Sequence, residues 1–538
     1  MEMQSLKVRA PPADISNTHK SMTEISNVET SSRGCQDDVS TLRRLFSSTQ
    51  LLTFALCFMS SWEVVAMNLG ASFYNGRPQA LAWGMLLVVA GALALAESMA
   101  ELASIQPIAG AQYHWTKFLV ASSSSTDKER ERARLLTWMQ GWVTWFAWVS
   151  SLAASTSSMA NILLGLVTVN HPEYVYEPWH LTLLIIAQLF VVGIINIFAF
   201  RSVPWLETVG GALHVIIWII FIVVFAVCGG KSDANFVFLE RSSTSGWTNG
   251  VVSWNLGLLV TSWGFVGFDG VVHMSEEVRR AKHAVPRAMI WTIILNGIQA
   301  YGIMLVLLFA MGDNAAEILN SPYPIIPLCF GAVGQQAGTA MVISLLVITF
   351  CVVTGSLASV SRITWAWARD RGLPAWFAKI HPVHRVPVRS TLLPIAIVSC
   401  LALFTVGNTA TSTIFSAFTS LSMLGLYSSY IIAIGCMVHA RLAGRIGNGP
   451  EHPVQFGDWT LPPGVGLPLN IYALAWSIYV TIWLPFPTTI PVTGANMNYA
   501  GPIYLVVIFG SAAYWILWGK TNWPGLNNKA IEMVEAHD

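Results

Sequence analysis

The sequence is poor in charge, since Asp, Glu, Lys and Arg together make up 11% of its 538 residues. Soluble domains usually carry about 25% charged residues, so this chain cannot cover a globular surface with polar groups. There is no basic block and no basic patch interleaved with aromatic residues, so we expect no nucleic-acid partner. Hydrophobic residues reach 54% and the mean hydropathy is +0.56, which indicates an integral membrane protein whose partner is the lipid bilayer.

Cysteine and histidine patterns that bind metal are also missing. The seven cysteines are scattered with no CxxC spacing, and most lie inside apolar runs, so we expect reduced, buried thiols. The pair in "HPVH" at 381–384 lies in a basic loop without acidic or cysteine neighbours. The sequence therefore predicts neither a metal site nor a cofactor.

Long apolar runs divide the chain into membrane segments, each near the 20 or so residues that a spanning helix needs. We predict an all-α integral membrane fold of about twelve transmembrane helices at 49–73, 79–101, 138–169, 180–200, 204–228, 251–273, 287–312, 338–367, 391–407, 411–438, 469–486 and 499–518. Residues 1–47 are polar and predict a disordered tail, and residues 520–538 form a second tail.

The positions of Lys and Arg predict the orientation. With a cytoplasmic N-terminus, 26 of the 29 fall on the cytoplasmic side, and Arg77, Lys231 and Arg241 are the exceptions. An odd number of segments or the opposite orientation would abolish this bias. We therefore expect both termini in the cytoplasm of a cell whose plasma or vacuolar membrane holds the protein.

The first segment, "TQLLTFALCFMSSWEVVAMNLGASF", carries a single charge, Glu63, near its centre. A charge at the bilayer centre costs roughly 2.5–3.5 kcal/mol on insertion scales, and such groups face the bundle interior. The two serines before Glu63, together with Asn68 and Gly70, are weak helix formers. We predict a break in this helix; the alternative is that Glu63 pairs with a donor in the bundle and only fixes packing.

The sixth segment repeats the anomaly. In "TSWGFVGFDGVVHMSEE", Gly264, Gly267 and Gly270 weaken the helix beside Asp269, and a Ser-Trp pair recurs. The two breaks are five segments apart, so the halves 48–229 and 247–440 would run in opposite directions through the membrane. Matched breaks in inverted repeats mark the binding site of secondary transporters.

A small amine or zwitterion suits such a site. The helix N-terminus at a break suits a carboxylate, and freed carbonyls with Glu63 and Asp269 suit an ammonium group. Aromatic faces attract cations. The candidates for covering the ligand are Trp62, Trp263, Phe265 and Phe268.

Other polar residues within the segments are candidates for ion coupling. Glu207 and His214 share a face of the fifth segment, where His214 either carries a proton or packs as a neutral histidine. In the eighth segment, Ser356 and Ser359 either bind sodium or allow close helix packing. Between the two ions, we favour the proton.

Two acidic pairs lie near the predicted cytoplasmic side. Glu97 and Glu101 precede a Pro-Gly turn, and they form either a cytoplasmic gate against the broken helices or a capped helix end. Glu276 and Arg280 are four residues apart, which predicts a solvated helical linker stabilised by a salt bridge.

Four stretches resemble the amino acid–polyamine–organocation superfamily, and within it the fungal amino acid/choline transporters that include choline and GABA permeases. They are "SSWE", "NGRPQALAWG", "AESMAELASIQPIAGAQYHW" and "GFDGVVHMSEEVRRAKHAVPRAM". The resemblance implies the LeuT-type fold of two inverted five-helix repeats plus two peripheral helices at 469–519, with alternating access driven by protons or sodium. It places the unwound binding segments on Ser60, Ser61, Trp62 and Glu63, and on the stretch from Trp263 to Asp269 with Gly264 and Gly267.

The sequence thus predicts a permease, not an enzyme, for an amino acid or a small amine such as choline or GABA. A membrane sensor with the same fold would carry a larger soluble domain than these tails. An intramembrane enzyme would need a catalytic set, such as paired aspartates, that we do not find. A carrier of a specialised metabolite or its amino acid precursor remains an alternative.

Overall fold

The computed structural model describes residues 42–532 except 74, 121–125, 242, 316–317, 319–320, 407–410, 495 and 529–530. The predicted disorder of residues 1–41 lies outside this range. The first helices are α1 (Ser48–Met59), α2 (Ser61–Phe73), α3 (Arg77–Ile105), α4 (Gln112–Val120), α5 (Asp127–Asn170), α6 (Pro178–Phe198), α7 (Val203–Cys228) and α8 (Ala234–Leu239). They are followed by α9 (Gly250–Trp263), α10 (Gly270–His273), α11 (Ala281–Ala310), α12 (Ile325–Arg369), α13 (Val388–Ala402), α14 (Thr411–Leu442), α15 (Gly466–Trp483), α16 (Ala500–Tyr514) and α17 (Lys520–Asn522). The two-residue strands β1 (Ile446–Gly447) and β2 (Val454–Gln455) pair in parallel.

The all-α membrane fold is confirmed. Within the described residues, ten helices are long and apolar enough to cross a membrane. The two other predicted segments are the sixth, which is divided between α9 and α10, and the eleventh, α15, which has 18 residues and includes Asn470 and Ser477. The ten helices and these two segments together account for the twelve predicted from the apolar runs.

Several helices extend beyond the apolar run that predicts them. Helix α5 has 44 residues because a capping box between Thr126 and Glu129 starts it well outside the apolar stretch. Helix α12 has 45 residues and is kinked at Gly334, where φ is 81°. Such extensions place polar ends of the helices outside the span itself.

The two interrupted segments run antiparallel to each other. At one end, the N–H of Phe46 donates to the carbonyl of Glu277 at 3.1 Å. In the middle, Ser61 Oγ donates to the carbonyl of Gly264 at 2.5 Å. At the other end, the N–H of Gly76 donates to Ser253 Oγ at 3.1 Å. Both interruptions therefore meet at one level of the bundle.

The two interruptions differ in length. Only Ser60 separates α1 from α2, and it adopts a left-handed conformation with φ of 41°, which costs a non-glycine residue about 1–2 kcal/mol. In the second segment, six residues from Gly264 to Asp269 separate α9 from α10, and Gly267 has a φ of 88°. Glycine takes this conformation without a steric penalty.

Two predictions at the ends of these segments are corrected. Phe46 belongs to the predicted disordered tail, yet it is buried and bridges to Val278, so the ordered chain begins before residue 48. The predicted salt bridge between Glu276 and Arg280 is replaced by one between Glu276 and Arg369 at 2.9 Å. The stretch is not a continuous helix, because Arg280 is left-handed and α11 begins after it.

A substitution at the end where Gly76 contacts Ser253 tests the antiparallel packing. A Cβ on Gly257 would lie 2.2 Å from the carbonyl oxygen of Asn75, so the backbones must separate. We expect Gly257→Ala to lower the free energy of unfolding by about 1–3 kcal/mol, the usual effect of overpacking. Thermal unfolding of the purified protein in detergent measures this. The control is Gly250→Ala, where no atom lies within 4 Å; equal melting temperatures for the two variants would contradict the crossing.

Candidate functional site

A cavity lies where the two interruptions meet. It encloses about 580 Å³ of empty space, part of which is open to solvent. Its wall consists of Phe58, Met59, Ser60, Val64, Met67, Ser151, Ser155, Ser158, Trp263, Val266, Gly267, Thr349 and Val352. In the first segment, these residues lie at the break and along α2, the helix that precedes Gly76.

Three of the predicted binding residues line this cavity, namely Ser60, Trp263 and Gly267. Ser61 and Gly264 instead join the two breaks through their mutual hydrogen bond.

The predicted aromatic cover is only partly present. Trp62 is buried against His214 and Phe221, and its Nε1 donates to the carbonyl of His214 at 3.2 Å. The ring of Phe268 is tilted against that of Tyr430, with centroids 5.4 Å apart, and Phe265 is buried in the core. Trp263 is therefore the aromatic residue of the predicted four that lines the cavity.

Serine and threonine residues on two neighbouring helices complete the wall. Ser151, Ser155 and Ser158 come from α5, and Thr349 from α12. The spacing of four and three residues places the serines on one face of α5. The stretch "SSLAASTSS" within the apolar part of α5 is the signal that would have indicated this face from sequence.

Glu63 does not line the cavity. It is fully buried one turn beyond Ser60, and its Oε1 lies 2.7 Å from Nδ1 of His214. His214 Nε2 in turn lies 2.9 Å from Oε1 of Gln299. The structure thus joins the predicted site residue Glu63 to the predicted coupling residue His214.

Asp269 is buried two residues beyond Gly267 and does not line the cavity itself. Tyr430 Oη donates to its Oδ1 at 2.5 Å, and Gln112 Nε2 donates to its Oδ2. Tyr430 Oη also accepts the N–H of Gly267 at 3.1 Å. One tyrosine thereby holds both the carboxylate and the glycine of the second break.

Ion pairs join the elements at one end of the bundle. This end is here called the basic end and is formed by residues 106–120, 273–287, 362–390 and 439–461. Arg362 Nε donates to Glu277 Oε1 at 2.7 Å, and both side chains are buried. The Arg362 guanidinium also lies 3.9 Å from the ring centroid of Phe200. Breaking a buried pair leaves an uncompensated charge, so these contacts hold the elements of the basic end together.

The predicted gate residues, Glu97 and Glu101, bond to residues 439–461 of the basic end and not to the breaks. Glu101 accepts from Arg441 at 2.6 Å and from the N–H of Leu461 at 2.8 Å. Glu97 accepts from Nε1 of Trp459 at 3.2 Å. Their contacts hold the segment that follows α14.

The other ion-coupling candidates lie apart from His214. Glu207 is buried beside Cys57 and Cys351, and neither of its oxygens meets an N–H or O–H donor among the described residues. Ser359 Oγ donates to the carbonyl of Gly270 at 3.0 Å, and Ser356 Oγ has no partner within the described residues. The shared helical face of Glu207 and His214 does not bring these two side chains together.

Asp370 joins the C-terminal segment to the basic end. Its Oδ2 lies 2.9 Å from Tyr113 Oη and 2.8 Å from His114 Nε2, and its Oδ1 accepts the N–H of Asn527 at 2.9 Å. Burial alone would raise the pKa of Asp370, but His114, Arg369 and the Asn527 N–H favour the carboxylate and bring the pKa below its ordinary value.

Two interrupted, antiparallel membrane helices that meet at a cavity are typical of secondary transporters. Residues 46–509 match the family described as amino acid permease. The chain belongs to this family, and so to the amino acid–polyamine–organocation superfamily.

Three fungal relatives illustrate the range of named substrates. An amino acid/polyamine transporter of Macrophomina phaseolina is 29% identical over 84% of this chain and 96% of its own. The choline transporter of Saccharomyces cerevisiae is 27% identical over 92% of this chain and 85% of its own. The swainsonine transporter of Arthroderma benhamiae is 26% identical over 85% and 87%, respectively.

The Asp370 contacts predict a pH-dependent stability. A carboxyl group whose pKa is lowered by folding stabilises the protein above its ordinary pKa, and this contribution is lost as the pH falls through the folded value. At neutral pH we expect Asp370→Asn to reduce the free energy of unfolding by about 1–3 kcal/mol, the range for buried hydrogen-bonded groups. The difference from the parent should shrink below about pH 4.

Thermal unfolding measured from pH 7 to pH 3 tests this expectation. Asp127→Asn is the control, because the Asp127 side chain is 98% exposed in its ion pair with Arg130. A difference between Asp370→Asn and the parent that stays constant over this range would contradict the assignment.

Proposed function

We propose that this protein moves a small amine or an amino acid across a membrane by alternating access, with the substrate bound in the cavity between the two breaks. The observation that carries the proposal is that one cavity is lined by both breaks together with a hydroxyl-bearing face of α5. Ligand sites in transporters of this kind use interrupted helices for the polar groups that an intact helix cannot offer.

The chemistry of the cavity suits a zwitterion or an organic cation. The last four carbonyls of a helix have no partner within that helix. In α1, the carbonyls of Leu56 and Cys57 accept bonds from the N–H and hydroxyl of Ser60. This leaves the carbonyls of Phe58 and Met59, both in the cavity wall, as acceptors for an ammonium group, and the ring of Trp263 adds a cation-binding face.

The opposite charge of a zwitterion has its own partners. The positive N-terminal end of α2 begins directly after Ser60 and favours a carboxylate. Ser158 supplies a hydroxyl that can donate to it, whereas the hydroxyls of Ser155 and Thr349 donate to carbonyls of their own helices. Glu63 and Asp269 are bonded to other protein groups and do not line the cavity. Among the described residues, its wall therefore carries no acidic side chain.

The buried ion pair of Arg362 and Glu277 supports the proposal that this conformation is closed at the basic end. Transport requires a second state in which the contacts of Asp269 with Tyr430 and Gln112, and of Glu277 with Arg362, separate. We propose that the basic end faces the cytoplasm, as the distribution of Lys and Arg predicts, with both termini on that side. The host membrane would be the plasma or vacuolar membrane.

A second candidate substrate is a specialised metabolite or its amino acid precursor. It is favoured by the relative named as a swainsonine transporter. The cavity chemistry is the same for any compact organic cation, so the two candidates differ in the shape of the ligand and not in the site.

Uptake assays in cells lacking amine and amino acid permeases test the proposal. Labelled choline, GABA, basic amino acids and cyclic imino acids form the panel, and we expect uptake of at least one. Ser155→Leu adds volume to the cavity wall and should abolish this uptake. Ser155→Ala should retain it, because Ser155 Oγ donates only within α5, to the carbonyl of Ser151 at 3.0 Å. Normal uptake by a correctly inserted Ser155→Leu protein would place the substrate elsewhere.

The hydrogen bond from Tyr430 to Asp269 yields a separate prediction. Tyr430→Phe removes a donor to Asp269 and should cost the closed state about 1–3 kcal/mol. The ratio of molecules open at the basic end to molecules closed there then rises by roughly 5- to 150-fold. The apparent KM for uptake increases because fewer molecules present the cavity to the other side. Tyr427→Phe, which alters a buried tyrosine three residues earlier, is the control. An unchanged KM in Tyr430→Phe would show that this hydrogen bond does not hold the cavity closed.

A further inference from the structure

Glu63, His214 and Gln299 form a row of hydrogen bonds across three helices, α2, α7 and α11. Glu63 Oε1 lies 2.7 Å from His214 Nδ1, and His214 Nε2 lies 2.9 Å from Gln299 Oε1. Glu63 and His214 are fully buried, and the second carboxyl oxygen of Glu63 has no partner among the described residues. An acid placed at this depth is costly unless it has a function or a complete set of partners.

The bonding partners determine how many protons this row holds. An amide oxygen only accepts, so His214 Nε2 carries a hydrogen and donates it to Gln299. A second hydrogen must lie between Glu63 Oε1 and His214 Nδ1, because a carboxylate and a bare nitrogen would repel each other at 2.7 Å. The pair is either a carboxylic acid with a neutral imidazole or a carboxylate with an imidazolium. Both arrangements contain one exchangeable proton and no net charge.

The row is mechanically connected to the first break. Glu63 lies in the first turn of α2, directly after the left-handed Ser60 that lines the cavity. Helix α11 contacts both the first break and this row of hydrogen bonds. Asn296 Oδ1 accepts the N–H of Ser61 at 3.0 Å, and Gln299, one turn later, bonds to His214. A change in the bond between Glu63 and His214 therefore acts on the same helices that shape the break.

We propose that Glu63 and His214 together form the proton-binding site that couples transport to a proton gradient, an inference that rests on the proposed function. In the conformation described, closed at the basic end, the pair holds its proton. When the protein opens at the basic end, the proton shared by the two residues leaves. Glu63 is then a carboxylate, and His214 is a neutral imidazole that keeps its hydrogen on Nε2. The bond between the two residues is then lost, and α2 is released from α7 until another proton binds.

The surroundings contain few other groups that titrate. Cys57 on α1 and Cys351 on α12 lie beside Glu207, the nearest acid on α7, two turns from His214. Helix α9 carries no ionisable side chain, and the charged residues of α11 (Lys282, His283 and Arg287) are more than three turns from Gln299. Glu207 is therefore the competing candidate for the proton.

Purified protein in liposomes separates coupling from transport. Exchange of labelled choline or GABA at equal pH on both sides measures substrate movement without a driving force. Accumulation is then measured with the membrane potential held at zero and a gradient of one pH unit, which supports about tenfold accumulation for one proton per substrate. We expect the parent protein to show both activities.

The variants Glu63→Gln and His214→Gln should keep exchange and lose accumulation, with the ratio falling from about ten to about one. Glutamine at 63 has the shape of the protonated acid and can donate to Nδ1, so it mimics a permanently loaded site. Glu207→Gln should still accumulate substrate. An infrared difference spectrum between two pH values should contain a carboxyl band that is absent from Glu63→Gln and present in Glu207→Gln, and this measurement is independent of transport.

The outcomes distinguish the two proposals. Exchange by the parent without accumulation overturns the proton site and leaves the proposed function standing. Accumulation by Glu63→Gln, loss of accumulation in Glu207→Gln alone, or a carboxyl band that persists in Glu63→Gln also overturns the proton site. If the parent exchanges neither probe, nor any compound of the uptake panel, both proposals fail together.

Discussion

In a lipid bilayer, each backbone N–H and C=O needs a hydrogen-bond partner inside the protein, and this constraint governs the architecture. An interrupted helix frees such groups, so each break in this chain is surrounded by side chains that bond to it. Asn296 and Ser60 satisfy the first break, whereas Ser61 and Tyr430 bond to the second. The groups left over face the cavity, and they define what it can bind.

The same need for hydrogen-bond partners explains the surroundings of the two acids. Asp269 is bonded to Tyr430 and Gln112, and Glu63, in the first turn after the break, is bonded to His214. Neither is offered directly to a ligand. Glu63 joins α2 to α7 beside the first break, so its bond to His214 is suited to control the relative position of these two helices, the step that we propose is coupled to the driving ion.

Sequence reasoning predicted the all-α membrane fold because long apolar runs are strong, local signals. It also located both breaks, since Glu63 and the Gly264–Gly270 cluster conflict with an intact membrane helix. It could not predict which side chains meet. The pairing of Glu63 with His214 joins residues 151 positions apart, and the pairing of Glu276 with Arg369, 93 positions apart, replaced the local salt bridge to Arg280. The serine-rich stretch of α5 is visible in the sequence, but only the fold shows that these serines face the two breaks.

The central claim is that substrate binds where the two broken helices cross. A cryo-electron microscopy map of the protein saturated with the amine or amino acid that it takes up tests this claim most directly. The account predicts ligand density between Ser60, Ser155 and Trp263, with the ammonium group toward the carbonyls of Phe58 and Met59. Density for the ligand at any other place in the bundle, with this cavity empty, would contradict it.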